Sequence, residues 1–154
     1  MGKLMSLHAL GLATLALLAG AMISVQAPVN ALAAAKLGHP LGAATLSFVV
    51  GTLCLLVVTL VVAREHVAWS GVASLPPLLY LGGVLGAIFV TISLVLTPVL
   101  GIGAVIALAI AGQVIASLAL DHYGLLGLAV RELTLGRATG AVLAVLGALM
   151  VRFL

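Results

Sequence analysis

Twenty-three consecutive residues, LGAATLSFVVGTLCLLVVTLVVA from Leu41 to Ala63, contain no charged side chain. At about 1.5 Å of helical rise per residue such a run is about 35 Å long, enough to cross the roughly 30 Å hydrocarbon core of a bilayer. Similar runs recur along the chain. Only 6% of the residues are charged and 65% are hydrophobic, with a mean hydropathy of +1.47, against about 25% charged and about 45–50% apolar in soluble domains. A chain of 154 residues leaves most of its side chains on its surface, and nine charged groups cannot clothe that surface in water. The fold class expected is therefore an all-α integral membrane protein whose solvent is the lipid bilayer.

Breaks in apolarity divide the chain into five spans, about 4–35, 41–63, 78–97, 102–120 and 138–151, within a single transmembrane domain over 1–154. Lys3, the apolar run Leu4 to Leu18 and the small residues Ala19, Gly20 and Ala21 imitate a cleavable signal sequence. The apolarity continues through Met22, Ile23 and Val25, so the segment reads as a retained first span, kinked at Pro28. The stretch KLGHP ends span one; REH and the pair Pro76 and Pro77 punctuate the connection after span two. Pro98 and Gly101 predict a tight turn that makes spans three and four antiparallel neighbours. The loop DHYGLLGLAVRELTLGR follows span four, its apolar half from Leu125 to Val130 lying along the membrane interface or dipping back into the protein. Span five is short, about 21 Å, so Arg137 and Arg152 are expected to snorkel to opposite headgroup layers.

The net charge of +3 does not point to nucleic acid, because the six basic residues are scattered without a cluster or stripe. Cys54 stands alone in an apolar run and reads as a small buried hydrophobe. His8, His39 and His66 fall at span boundaries, and no His, Cys, Asp or Glu recur at ligand intervals except the adjacent Asp121 and His122, so no metal and no other cofactor is expected. Neither a phosphate loop nor a nucleophile elbow is present, so no catalytic residues are assigned and enzymatic function is disfavoured.

Five spans place the termini on opposite sides, and basic residues mark the cytoplasmic one. Lys3, Arg64, Arg131 and Arg137 fall on the side of the N-terminus, Lys36 and Arg152 on the other. Four against two favours a cytoplasmic N-terminus, yet so small a bias lets copies insert both ways. Two antiparallel copies would then reproduce what other transporters build from inverted repeats. No internal repeat is visible, so one copy reads as half a machine, its partner a second copy or a homologous half in opposite orientation. Helices in lipid associate at small residues. Gly82 and Gly86 form one GxxxG, Gly136 and Gly140 another, each marking either a dimer contact or packing within one subunit.

Against this background the stretch AGQVIASLALDHYGLLG sets Gln113, Ser117 and Asp121 at four-residue intervals, on one side of span four. With the span centred near Gly112, Gln113 lies close to the bilayer midplane. An amide at that depth must find partners, because an unsatisfied polar group in hydrocarbon costs several kcal/mol. Span one repeats the device with Gln26 and Asn30, and Pro28 between them frees a backbone carbonyl. Two facing polar stripes describe a pathway for a small-molecule substrate; the same amides can equally serve as glue between helices, worth about 0.6–2 kcal/mol per bond. Asp121 with His122 is the acid near the stripe and a candidate for proton coupling. The plainer reading of Asp121 is a helix-end residue paired with Arg131 or Arg137.

The order GAMISVQAPVNA, YLGGVLGAIFV, TPVLGIGAVIALAIAGQVIASLALDHYGLLG and GRATGAVLAVLGALM resembles the short five-helix YdcZ-type proteins of the drug/metabolite transporter superfamily, through essentially the whole chain. The resemblance implies a bacterial inner-membrane location and five helices per chain, half of a ten-helix EamA-like bundle assembled from two halves in opposite orientation. The family's polar positions fall on Gln26, Asn30, Gln113, Ser117, Asp121 and His122. The related four-helix multidrug exporters carry a glutamate in their first helix, whereas span one here has no acid; that favours a neutral or zwitterionic substrate, or an anion, over a lipophilic cation. The leading expectation is a secondary transporter, an exporter of a small polar metabolite working by alternating access as an antiparallel dimer, with substrate held between spans one and four. An antiparallel dimeric channel and a non-transporting membrane assembly protein are the alternatives.

Overall fold

The computed structural model describes residues 2–154, with side chains from His8 onward; the side chains of Lys3 and Leu4 lie outside the described residues. Among the described residues there are five long helices and no strand. These are α1 (Gly2–Leu37), α2 (Pro40–Val62), α3 (Leu81–Leu100), α4 (Ile102–Tyr123) and α5 (Leu135–Phe153), with short 3₁₀ turns at Trp69–Ser74, Pro77–Tyr80 and Leu125–Gly127. All five are long and apolar enough to cross a membrane: His8–Leu37, Pro40–Val62, Pro77–Leu100, Ile102–Tyr123 and Leu135–Phe153.

The helix ends follow from local chemistry. Between α1 and α2, Gly38 takes a left-handed φ of 75°, His39 Nδ1 accepts from the Leu41 N–H at 3.2 Å, and Pro40 stands in the first turn, where its missing N–H costs nothing. Pro98 does not form the turn after α3, as the sequence suggested. It lies inside the helix, which continues to Leu100, and the break is made by Gly101 at φ 80°, whose N–H still closes on the Thr97 carbonyl at 3.0 Å. A proline so near the C-terminal end removes one hydrogen bond without preventing the last turn.

The fifth helix is longer than predicted. Thr134 caps it, its hydroxyl accepting from the Arg137 N–H at 3.3 Å, so α5 begins at Leu135 and its 19 residues reach about 28 Å. Arg137 therefore sits in the first turn and bonds within the protein instead of snorkelling. Arg152, at the other end, is exposed with its guanidinium 5.4 Å from the centre of the Phe153 ring. The apolar stretch Leu125 to Val130 does not dip back. Its side chains are exposed, and the segment is tied down by the Arg131 N–H, which donates to the Asp121 carbonyl at 2.8 Å.

The helices fall into two units, one ending at Val95 and the other Leu96–Leu154. In the first, α1 packs on α2, and the core is made of small side chains: Ala43, Ala44 and Leu94, with Ala31, Ala33, Ala34 and Val90 against them. In the second, α4 and α5 form a hairpin over Ala104, Val105, Ala111 and Ala148, with Gly103 close to Val151. Small residues dominate because lipid tails are as apolar as leucine, so helices associate by close approach and not by hydrophobic burial. Most of the leucines point outward accordingly, Leu94 being the buried exception. Cys54 is exposed on α2, not buried as its apolar surroundings suggested. Of the GxxxG residues, Gly86 packs within its unit, where an added Cβ would stand 3.6 Å from the Phe48 ring; Gly82, Gly136 and Gly140 have nothing within 4 Å.

The link between α4 and α5 turns on Gly124, which has a φ of 59° and where an added Cβ would meet Val130 Cγ2 at 2.6 Å and the Leu128 carbonyl oxygen at 3.2 Å. Gly127 shares the left-handed conformation but has open space around it. Gly127→Ala is expected to cost only the backbone strain, about 1–2 kcal/mol, and Gly124→Ala measurably more. Thermal unfolding of the two variants in detergent checks the order; equal losses would show that Val130 moves aside freely.

Candidate functional site

The polar residues that the sequence singles out divide between the two units. In the first, Gln26 and Asn30 lie on α1, one turn apart. A four-residue step advances about 40° around a helix of 3.6 residues per turn, and that offset separates their fates. Gln26 is exposed, and its Nε2 donates to the Ser47 hydroxyl of α2 at 3.4 Å. Asn30 is only 7% exposed. It stands one turn nearer the KLGHP connection, level with Ala43, which is itself one turn from Ser47. Its side-chain amide makes no hydrogen bond among the described residues, where no buried side-chain nitrogen or oxygen lacks a partner, so the amide atoms themselves reach the surface.

Pro28 lies between them inside α1, and without an N–H it leaves the Ser24 carbonyl without its usual helical donor. The Ser24 hydroxyl does not answer that carbonyl; it donates back to Gly20 O at 3.1 Å. The region thus gathers hydrogen-bond donors and acceptors, the Gln26 and Asn30 carboxamides and the Ser47 hydroxyl, an arrangement that can bind a polar group by hydrogen bonds. Ser47 is the residue that sequence reasoning missed. Its only signal was the short connection between α1 and α2, which brings residues near 26 and 47 to one level. On another side of α2, Leu41, Thr45, Phe48, Thr52, Ala87 and Thr91 line a groove of about 520 Å³. Thr45 and Thr91 spend their hydroxyls on Leu41 O and Ala87 O, so most of the wall is apolar.

In the second unit the stripe Gln113, Ser117, Asp121 winds around α4 by the same drift. By Asp121 it has turned onto the α5 side, and there the carboxylate forms an ion pair with Arg137. Both side chains are a little over a quarter exposed (27% for Asp121, 29% for Arg137). The second guanidinium nitrogen of Arg137 donates to Glu132 O at 3.2 Å and Arg131 O at 3.4 Å. One arginine therefore holds the end of α4, the loop and the start of α5 together. Of the two partners the sequence offered to Asp121, Arg137 takes the carboxylate and Arg131 takes the backbone carbonyl.

Ser117 turns its hydroxyl onto Val114 O at 2.9 Å. Gln113 is exposed, with no hydrogen bond to its amide among the described residues. His122 points away from Asp121, as neighbours on a helix must. It meets Tyr123 edge to face at 5.0 Å and, with Ile115, Leu118, Leu133 and Ala138, lines a groove of about 350 Å³.

The Arg137 pair has a measurable signature. Asp121→Ala and Arg137→Ala are each expected to lower stability in detergent, and the double variant by less than their sum, with a coupling energy of about 0.5–3 kcal/mol. Strict additivity in a thermal double-mutant cycle would mean that the pair holds nothing together.

No curated protein and no solved structure matches the chain. One family model does match, over residues 11–150, and it is described as "Putative inner membrane exporter, YdcZ". A membrane exporter family is not an enzyme class, and five apolar helices suit a multi-pass protein embedded in the membrane. With nearly its whole length inside the match, the chain belongs to the YdcZ family.

Proposed function

We propose that the chain is half of a secondary transporter, which exports a small, polar, neutral or zwitterionic metabolite across the inner membrane of a bacterium. The other half is a second copy or a homologous chain in opposite orientation, completing an EamA-like ten-helix bundle that works by alternating access. The observation that carries this reading is Asn30: on a residue only 7% exposed on a membrane helix, the carboxamide makes no hydrogen bond among the described residues and leaves its polar atoms accessible at the surface. An unpaired amide in hydrocarbon costs several kcal/mol, a cost that a passing polar ligand or water removes. Gln26, held by Ser47 at its Nε2, keeps its carbonyl oxygen as a further acceptor. The amides discriminate by hydrogen-bond pattern and not by charge, which suits an uncharged or internally compensated substrate.

Export against a gradient needs a coupled downhill flux, and the candidates for carrying protons are Asp121, the titratable group of the α4 stripe, and His122 beside it on another face of the helix. The Asp121 carboxylate is engaged by Arg137, so a coupling role requires the pair to open in each cycle, whereas a structural role requires it to stay closed.

The test is the composition of the growth medium. Cells overproducing the chain should release at least one small polar metabolite, detected by mass spectrometry, that cells overproducing equal membrane levels of Asn30→Leu do not. Identical profiles for the wild type, the variant and cells without the chain would overturn the exporter reading.

A further inference from the structure

Gln113 is the twelfth of the 22 residues of α4, Ile102–Tyr123, and so lies within about 1.5 Å, one helical rise, of the middle of the span. Its side chain is exposed, and among the described residues its amide makes no hydrogen bond. Left uncovered in a membrane, such an amide would face hydrocarbon, which offers it nothing. Ser117, one turn on, has solved the same problem inside its own helix by donating to Val114 O. Gln113 has not. The adjoining strip of α4 is made of Ala109, Gly112 and Ala116, about 40–100° around the helix from Gln113, and nothing stands within 4 Å of where a Cβ on Gly112 would lie. A second helix can come close along such a strip.

We propose that Gln113 of one copy hydrogen-bonds to Gln113 of a second, oppositely oriented copy, each amide donating an N–H to the other's carbonyl oxygen across a two-fold axis in the plane of the membrane. The inference rests on the antiparallel reading above and names the contact on which it turns. Position selects the residue: when two copies are inserted in opposite senses, the axis relating them lies at mid-depth. Only residues at that depth then meet their own counterparts; a residue one turn towards one side meets a residue one turn towards the other.

Chemistry selects the side chain. An isologous contact must be self-complementary, and a carboxamide carries both donor and acceptor, whereas a carboxylate or ammonium group would face its own charge. A lipid acyl chain over the same strip would leave both amides unpaired. The contact lies on that two-fold axis, so it links the halves without belonging to either side of the membrane.

Cross-linking reads this directly. In a Cys54→Ala background, membranes carrying Gln113→Cys and oxidised with copper phenanthroline should shift from monomer to disulfide-linked dimer on non-reducing gels, because the small-residue strip admits the roughly 4.4–6.8 Å Cα separation a disulfide needs. Differently tagged copies carrying Ala109→Cys and Ser117→Cys should link to each other, with neither linking to itself. Self-linking of each without the mixed product means parallel copies, and overturns both this contact and the antiparallel reading. One-sided labelling of Ser70→Cys in intact cells with no cross-link at residue 113 overturns this contact and the pairing of two copies, and leaves a homologous chain as the oppositely oriented half. Two-sided labelling of Ser70→Cys with neither the 113 link nor the mixed product overturns the Gln113 contact alone.

Discussion

A bilayer core has no hydrogen-bonding solvent, and the arrangement of this protein depends on that fact. In water an unpaired hydroxyl or amide is hydrated at little cost; in hydrocarbon it must be answered by the protein or by something the protein holds. The hydroxyls are answered locally. Thr14, Ser24, Thr45, Thr91, Ser117 and Thr139 each donate to a carbonyl three or four residues back in their own helix, the usual recourse of Ser and Thr inside helices. A carboxamide has two donors and two acceptor sites at the end of a longer arm, and this local solution does not absorb them. Gln26, Asn30 and Gln113 are therefore the groups through which the chain reaches beyond its own helices. Gln26 reaches Ser47, Asn30 lies in the packed face with its amide still open to a partner, and Gln113 stands open at mid-span.

Packing follows from the same solvent. Because lipid competes on equal terms with leucine, large apolar side chains gain nothing by turning inward, and contacts form where backbones approach closely. Ala43 and Ala44 against Ala31, Ala33 and Ala34 build the first unit, and Gly103, Ala104, Ala111 and Ala148 build the α4–α5 hairpin. The few charges do different work. Arg137 gathers the Asp121 carboxylate and two loop carbonyls, so the one ion pair among the described residues is placed at a helix end, where it fastens a connection. A site of neutral amides and a charged fastening are thus kept apart along the chain.

Much of this was legible in the sequence, and what was not has a physical explanation. Long uncharged runs announced the spans, since the length needed to cross a bilayer is set by helical rise. The ends were less legible. Pro98 looked like a turn but lies inside α3, because a proline's effect depends on how many residues of helix follow it. Thr134 drew α5 three residues earlier than its apolarity suggested, since a cap acts through one hydrogen bond that hydropathy does not register. Cys54 read as buried from its neighbours in sequence, yet an apolar run around a membrane helix does not distinguish a lipid-facing side from a protein-facing one.

The sequence by itself determined the solvent, the helical class, the number of spans and the list of polar residues that must be accounted for, because hydropathy, length and residue chemistry are local properties. It also carried the family, through motifs that apolar composition alone does not produce. Only the tertiary structure decided how those residues are used. It chose Arg137 for the Asp121 carboxylate and Arg131 for its carbonyl, brought Ser47 to Gln26, and buried Asn30 while leaving Gln26 exposed, although the two stand one four-residue step apart on α1. The reason is angular: a four-residue step drifts by about 40° around a helix, and whether that drift ends against a neighbour or against lipid depends on where the next helix lies.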